Sequence, residues 1–215
     1  MTHFKTVLFV WFVLIGIGSF GQTNYGQIPS RVKTKADSII LSIIRPGHFS
    51  NLTFDCDNSN LHISNPPHLV LNSCDTTLHY LENLSRRKLL TIDFYTLFYK
   101  LTIIENATYN FNIGIDTSLN MVDRPDLPDS GNQNAFDIQI DSTKAIELAY
   151  ASGMKHGLGI FKAKLNFDRG LGQFEWEIQN HLTTNPDRGE TFFINAITGQ
   201  RNVQKDSEWL RSVQH

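Results

Sequence analysis

The chain has 215 residues, of which 19% are charged, and its formal net charge at pH 7 is -2. This length is enough for one larger domain or two small domains with proper hydrophobic cores. The near-neutral balance argues against a nucleic-acid partner, because such proteins hold phosphates with clustered cations. The one short basic run, Arg86-Arg87-Lys88, is expected to be a solvated loop.

Residues 1–21 have the pattern of a cleavable secretory signal peptide. His3 and Lys5 precede an apolar run, and the small residues within 19–21 favour cleavage before Gln22. The uninterrupted apolar stretch is shorter than the roughly 20 residues that cross a bilayer as a helix. We therefore expect a secreted or periplasmic protein that keeps no stable membrane insertion after cleavage.

Residues 22–130 are predicted to form an N-terminal α+β unit. Thr34 and Asp37 have the spacing of a capping box and place the start of a helix there. Strands are expected within 89–104, which is rich in aromatic and β-branched residues, and within 109–116, where apolar and polar residues alternate.

Two cysteines in an exported protein favour a disulfide between Cys56 and Cys74. Closing that loop would stabilise the fold by on the order of 3 kcal/mol. A metal site is the alternative, because four residues that can bind metal follow one another at intervals of six: Cys56, His62, His68 and Cys74. Zinc modules place their ligand pairs about two to five residues apart, closer than here. We therefore expect the disulfide, with no metal and no other cofactor.

A proline-, aspartate- and glycine-rich segment at 123–131 has the composition of a linker. It lacks the spacing of a calcium-binding loop, so we expect an exposed acidic loop. The boundary between two units is placed near Gly131.

The last third of the chain begins with a helical pattern. Asp141 or Ser142 is the expected N-cap, and Ile146, Ala149 and Tyr150 fall on one face.

Apolar and polar residues then alternate in two consecutive stretches within 161–178, which predicts two antiparallel strands. A two-residue turn between them would place Lys164 opposite Glu175. The same register pairs Lys162 with Glu177, and opposite charges favour it. Both glutamates are thus expected on the polar face of the sheet.

A third strand is predicted within 191–196, closing on Asn195-Ala196-Ile197-Thr198-Gly199. This helix and its three strands resemble the PepSY domain, a small bacterial extracytoplasmic module, over residues 141–203. PepSY sequences commonly carry Asp-Ala-x-Thr-Gly at this point, where Asn195 replaces the Asp. The resemblance implies a module that binds or restrains other proteins and catalyses nothing.

The predicted fold class is α+β, with a helix packed on an antiparallel sheet. Residues 111–117 align with 192–198, which suggests two such PepSY-like units in tandem. The second unit spans 131–204. The remaining tail at 205–215 has a pattern that suggests a short terminal helix.

Known catalytic motifs are missing from the sequence. It contains neither Gly-x-Ser-x-Gly nor His-Glu-x-x-His, and no phosphate-binding glycine loop. His156 and His181 are expected to be surface or helix-terminal histidines. We therefore expect a protein that is not an enzyme.

The resemblance implies a protein or peptide partner, and in its concrete form a peptidase that the module inhibits or regulates in the cell envelope. An accessible strand edge could pair with a substrate-like segment. Phe193 and Asn195 of the final strand are the candidate partner-binding residues, whereas Phe192 and Ile194 are expected in the core.

The alternative hypothesis is an envelope enzyme or small-ligand-binding protein that uses the N-terminal half. Its distinctive element would be the loop between Cys56 and Cys74. Tyr95, Phe98 and Tyr99 could line an apolar pocket there, although such residues more often fill the core of a sheet.

Overall fold

The computed structural model describes residues 28–44, 46–65, 69–72, 85–87, 91–184 and 186–211. The predicted signal peptide at 1–21 lies outside these residues, and so do His68 and Cys74. Within the described stretches, no helix is both long enough and apolar enough to cross a membrane.

The first half of the described chain opens with helices, and its strands form one antiparallel sheet. These elements are α1 (Ser30–Ile43), α2 (Pro46–Phe49), β1 (Leu52–Asn65), β2 (Leu69–Asn72), β3 (Thr91–Ile104), β4 (Ala107–Asp116) and β5 (Met121–Asp123). The strand order across the sheet is β2-β1-β3-β4-β5.

The second half contains a helix followed by strands of another antiparallel sheet. These elements are α3 (Ser142–Ala151), β6 (Gly159–Asp168), β7 (Gln173–Thr184), β8 (Asp187–Asn195) and β9 (Ser207–Arg211), with short 3-10 helices at Gln133–Phe136 and Val203–Lys205. The strand order is β6-β7-β8-β9. The predicted α+β class with helices on antiparallel sheets is confirmed, while the tandem duplication stays a prediction.

Helix α1 begins at Ser30, so the predicted start at a Thr34–Asp37 capping box is wrong. The helix follows Pro29, whose side chain makes no capping hydrogen bond. A stripe of apolar residues sets the helix position, because residues four apart lie on one face and are buried together: Val32, Ala36, Ile40 and Ile44.

Asp37 joins α1 to the first sheet instead of capping the helix. Its Oδ1 accepts a hydrogen bond from the buried Tyr99 hydroxyl at 2.8 Å. Its Oδ2 accepts one from Lys33 Nζ at 2.6 Å. Burial raises the pKa of Tyr99, and the neighbouring Asp37 carboxylate adds to this effect.

The strands predicted within 89–104 and 109–116 are confirmed as β3 and β4, and so is the alternation predicted for the second. Their inward-facing side chains form the core: Tyr95, Leu97, Tyr99, Leu101, Tyr109, Phe111, Ile113 and Ile115. Period-two alternation works here because successive strand residues point to opposite faces.

The N-cap of α3 is also confirmed. The Asp141 side chain accepts a hydrogen bond from the Lys144 backbone N–H at 2.7 Å. Ala145 and Ala149 are fully buried, and α3 contacts β6, β7 and β8. These small residues let the helix approach the sheet closely.

The segment between the two sheets packs into a core that both sheets share. Leu127, Phe136 and Ile138 are buried there. Phe174 of β7 contacts Tyr109 of β4 edge to face, with ring centroids 5.0 Å apart. The exposed loop predicted at 123–131 is therefore wrong for Leu127, whose burial removes apolar surface from water, whereas Asp123 and Asp129 of that loop are exposed.

The β6–β7 hairpin has a longer connection than predicted. It runs over residues 169–172 and places Lys164 opposite Glu177, so the register based on a two-residue turn is wrong. Lys162 Nζ nevertheless lies 3.0 Å from Glu177 Oε1, on a diagonal across the strands. Long lysine side chains reach diagonal neighbours, so a charge pattern alone does not fix a register.

Candidate functional site

An open groove of about 520 Å³ lies where β8 ends, β7 begins and the chain crosses to β9. Its lining is mostly polar. The lining residues are Leu171, Gln173, Glu175, Asn195, Thr198, Gln200, Arg201, Asn202, Val203 and Gln204.

Two apolar side chains on this groove face the solvent. Leu171 and Val203 are 55% and 67% exposed. Side-chain amides supply much of the remaining lining, and each amide offers both a donor and an acceptor. The groove thus combines uncharged hydrogen-bonding groups with apolar contact points.

Asn195 lines the groove and also builds the turn after β8. Its Oδ1 accepts hydrogen bonds from the backbone N–H groups of Ile197 and Thr198, both at 2.8 Å. An aspartate could accept the same two bonds, so this turn does not require the carboxylate of the PepSY pattern. Gly199 follows at φ +73, a conformation that favours glycine.

Ala196 attaches this turn to the start of α3. Its carbonyl oxygen accepts hydrogen bonds from the backbone N–H groups of Gln139 and Ile140, both at 3.0 Å. Its own N–H donates to the Phe174 carbonyl at 2.9 Å. The Asn-Ala-x-Thr-Gly run therefore has a local structural role as well as a place in the groove.

Glu175 is buried in the groove wall, not on an open polar face beside Lys164 as predicted. It is 2% exposed. Lys205 Nζ lies 2.5 Å from Glu175 Oε2, and the amides of Asn202 and Gln173 donate to its Oε1 at 3.1 and 3.2 Å. The crossing to β9 covers this face, which sequence alternation does not reveal.

Lys205 also donates to Asp168, at the end of β6. That hydrogen bond lowers the pKa of Asp168, although partial burial works in the opposite direction. Burial opposes the charge on Lys205, but its hydrogen bonds to Asp168 and Glu175 outweigh this and raise the pKa of Lys205. One lysine is thus shared by two carboxylates beside the groove.

Phe193 lies next to the groove and is half-buried. Its backbone N–H donates to Asp206 Oδ1 at 3.2 Å, and its carbonyl oxygen accepts from the Asn202 N–H at 2.8 Å. Lys205 Nζ lies 5.5 Å from the centre of its ring. The structure brings the candidate residues Phe193 and Asn195 to one site, but the β8 edge at Phe193 is already paired.

The core positions predicted for this strand are confirmed, since Phe192 is 5% and Ile194 0% exposed. Arg201 covers Phe192, with its guanidinium carbon 3.6 Å from the ring centre. Arg201 also binds Asp206 at 2.6 Å and the Ser152 carbonyl at the end of α3 at 2.5 Å. This wall of the groove is therefore held by charge and stacking together.

The predicted sites of the N-terminal half lie elsewhere. Cys56 is half-buried in β1 and is not a free thiol, but Cys74 lies outside the described residues, so their pairing stays a prediction. His62 Nε2 lies 2.9 Å from Thr96 Oγ1, and burial lowers the pKa of His62. Among the described residues, no three His, Cys, Asp or Glu side chains are grouped to hold a metal ion.

The aromatic residues of the alternative pocket are distributed between core and surface. Tyr95 and Tyr99 are each 1% exposed and fill the core, whereas Phe98 points to the other face and is half-buried. The two histidines singled out in the second half have aromatic neighbours: His156 stacks on Tyr150 and His181 approaches Trp209.

The sequence patterns did not reveal Arg201, which lines the groove, or Lys205, which binds Glu175 beside it. Both lie in the irregular segment between β8 and β9, where no periodic pattern marks a side chain's direction. A cluster of charges beside an amide-rich run, Gln200 to Asp206, was the available signal.

No known protein family and no curated protein sequence matches this chain. The PepSY resemblance therefore stays a prediction drawn from the residues themselves.

Proposed function

We propose that this chain is an exported, non-catalytic, PepSY-like module that binds an extended segment of a protein or peptide in the groove beside the end of β8. The observation that carries the proposal is the lining of this groove. Its amides can pair with a peptide backbone through the atoms not already used in the bonds of Gln173, Asn195 and Asn202 within the protein, while Leu171 and Val203 offer contact to apolar side chains.

Electrostatics favour a peptide over a strongly charged ligand. Glu175 shares Lys205 with Asp168, and Arg201 is paired with Asp206. A phosphate or carboxylate ligand would have to compete with Asp206 for Arg201. A peptide unit needs no net charge from the site and can bind without breaking either pair.

The regulatory form of the proposal is that the bound segment belongs to a peptidase of the cell envelope. Occupying such a segment would restrain the peptidase without any reaction in this chain. The support is the resemblance of residues 141–203 together with the groove at the Asn195 turn.

Binding is tested by selecting peptides from a random library on the exported chain and measuring their affinity by fluorescence polarisation. Leu171→Asp and Val203→Asp should each weaken binding by about tenfold. Leu158→Asp is the matched control, because Leu158 is 63% exposed and does not line the groove. Equal binding by all three variants would remove the groove from the proposal.

The regulatory form needs a separate measurement. Proteins retained from envelope extract by the wild-type chain but not by Val203→Asp are identified by mass spectrometry. A retained peptidase is then assayed with and without the chain. Unchanged peptidase activity at saturating chain would reject regulation while leaving peptide binding intact.

A further inference from the structure

Strand β9 is a short and largely exposed edge strand. Ser207 and Glu208 are exposed, and Leu210 is 65% exposed. It pairs antiparallel with β8, with Gly189 opposite Trp209 and Thr191 opposite Ser207. Little apolar burial therefore holds β9 in place, apart from Trp209.

Trp209 packs on a notch in β8 that exists because residue 189 is glycine. A β-carbon at Gly189 would overlap the Trp209 ring and the Asn180 carbonyl oxygen. The ring also lies 5.1 Å from the His181 ring, centre to centre. The notch is thus shaped for a flat aromatic side chain.

Beside the notch, the ammonium of Lys155 binds Glu208, the residue that precedes Trp209 in β9. Lys155 Nζ lies 2.5 Å from Glu208 Oε1. The hydrogen bond from Lys155 lowers the pKa of Glu208, and the charge of Arg188 adds to the effect. An acidic residue at this place therefore has Lys155 and Arg188 nearby, while the Glu190 carboxylate, 3.9 Å from Lys155 Nζ, lies opposite it on β8.

The backbone of Lys155 is held by groups outside β9. Its backbone N–H donates to Glu190 Oε1 at 2.5 Å, and its carbonyl oxygen accepts from Asn180 Nδ2 at 2.6 Å. Glu190 and Asn180 belong to β8 and β7 and are buried. The two central strands thus anchor the backbone of Lys155 and also build the notch.

We propose that the edge of β8 over residues 187–191 is a second binding site, for an extended segment in which an acidic residue is directly followed by an aromatic residue. Strand β9 is the intramolecular occupant that such a segment replaces. The incoming strand takes over the backbone hydrogen bonds of β9, its aromatic ring enters the notch at Gly189, and its carboxylate binds Lys155. This site is separate from the groove and does not depend on it.

Replacing β9 by an incoming strand should cost little free energy, because β9 makes few side-chain contacts with the rest of the protein. Exposed ion pairs such as Lys155–Glu208 contribute little to stability, because water and salt screen the two charges. Backbone hydrogen bonds lost by β9 are regained by the partner strand, as in other cases of strand addition.

The test uses a fluorescent peptide copying residues 205–211 and the full exported chain, followed by fluorescence polarisation. Trp209→Ala in the chain loosens β9 and leaves the notch open, so the peptide should bind about tenfold more tightly than to wild type. Glu208→Lys in the chain is a second loosening variant and should act in the same direction. Circular dichroism confirms that both remain folded.

The specificity of the site is tested with altered peptides, and its location with a chain in which β9 is locked in place. Peptides with the tryptophan changed to alanine, or the glutamate to lysine, should bind the loosened chain about tenfold more weakly. A disulfide formed in Thr191→Cys/Ser207→Cys, at opposing positions, should abolish binding, whereas each single substitution should not.

Two results would overturn the proposal. One is a peptide affinity that changes neither with the two loosening variants of the chain nor with the two changes in the peptide. The other is loss of peptide binding in Val203→Asp with the Thr191–Ser207 lock having no effect, which would place the peptide in the groove and leave the proposed function standing.

Discussion

Lys205 Nζ lies 2.5 Å from Glu175 Oε2, and this pair fastens the crossing between β8 and β9 to the start of β7. The glutamate is 3% exposed at its side chain, and the lysine 33%. The same ammonium binds Asp168 in the β6–β7 hairpin. The wall of the groove is therefore tied to two other strands through one cation.

Replacing this cation should destabilise the fold. In Lys205→Met, Glu175 keeps its amide donors but loses its charge partner, which should lower the free energy of unfolding by about 1–3 kcal/mol. Urea denaturation measures the effect. Lys164→Met is the control, since Lys164 is an exposed lysine on the same sheet. Adding Glu175→Gln should recover part of the loss; no recovery would show that Lys205 acts by packing.

The pair between Lys205 and Asp168 should make stability depend on pH in the acid range. The hydrogen bond from Lys205 lowers the folded-state pKa of Asp168 below its unfolded value. Its contribution is therefore fully present above the unfolded pKa of about 3.9 and is lost as the pH falls through the lower folded value. Thermal unfolding of wild type and Lys205→Met between about pH 2 and 6 should show the two converging at the acid end.

The buried tyrosines should make the stability of the fold depend on pH in the alkaline range. Burial raises the pKa values of Tyr99 and Tyr109, whose hydroxyls donate to Asp37 and to the Asp126 carbonyl. Their contribution to stability is present below the unfolded pKa of about 10 and declines as the pH rises toward the folded values.

Absorbance of tyrosinate at about pH 11 should therefore step upward on unfolding. Tyr99→Phe should reduce this step and lower the free energy of unfolding by about 1 kcal/mol, because Asp37 loses its hydroxyl donor. A step of unchanged size in Tyr99→Phe would mean that this hydroxyl already ionises in the folded protein.

Substitutions of Asn195 should show whether the turn after β8 needs a hydrogen-bond acceptor at this position or is sensitive to its charge. Asn195→Ala removes the acceptor for two backbone N–H groups and should cost about 1–2 kcal/mol. Asn195→Asp keeps the acceptor and should melt above Asn195→Ala. Differential scanning calorimetry of the two variants makes the comparison, and equal melting temperatures would argue against the turn bonds.

The notch under Trp209 should tolerate no side chain. Gly189→Ala should push the Trp209 ring away and raise amide exchange within Ser207–Arg211. Gly131→Ala is the matched control, because a β-carbon there meets nothing within 4 Å. Unchanged exchange in Gly189→Ala would show that β9 shifts without loosening.

Local chemistry allowed several elements to be predicted. The Asp141 cap and the alternation of β4 involve interactions between near neighbours, so their sequence signals survive in the folded chain. The capping-box signal at Thr34 and Asp37 failed because burial of the stripe from Val32 to Ile44 outweighs one cap. Asp37 was recruited by Tyr99 instead, a contact across 62 positions of sequence.

The β9 segment is an element that the sequence pattern predicted wrongly. A short helix was predicted within 205–215, yet Ser207–Arg211 forms a strand. The deciding contacts are the open edge of β8 and the Gly189 notch, both far from β9 in sequence. A five-residue segment has too little intrinsic preference to resist such pairing.

Short-range patterning in the sequence thus determined the α+β class, the helix at Ser142–Ala151 and the inward positions of Phe192 and Ile194, because each depends on residues only a few positions apart. Tertiary structure alone decided that Glu175 is buried, that Lys205 binds carboxylates on both β6 and β7 and that the edge of β8 is covered by β9. Those outcomes depend on which distant backbone segments cross the sheet, and no periodicity in one segment encodes the position of another.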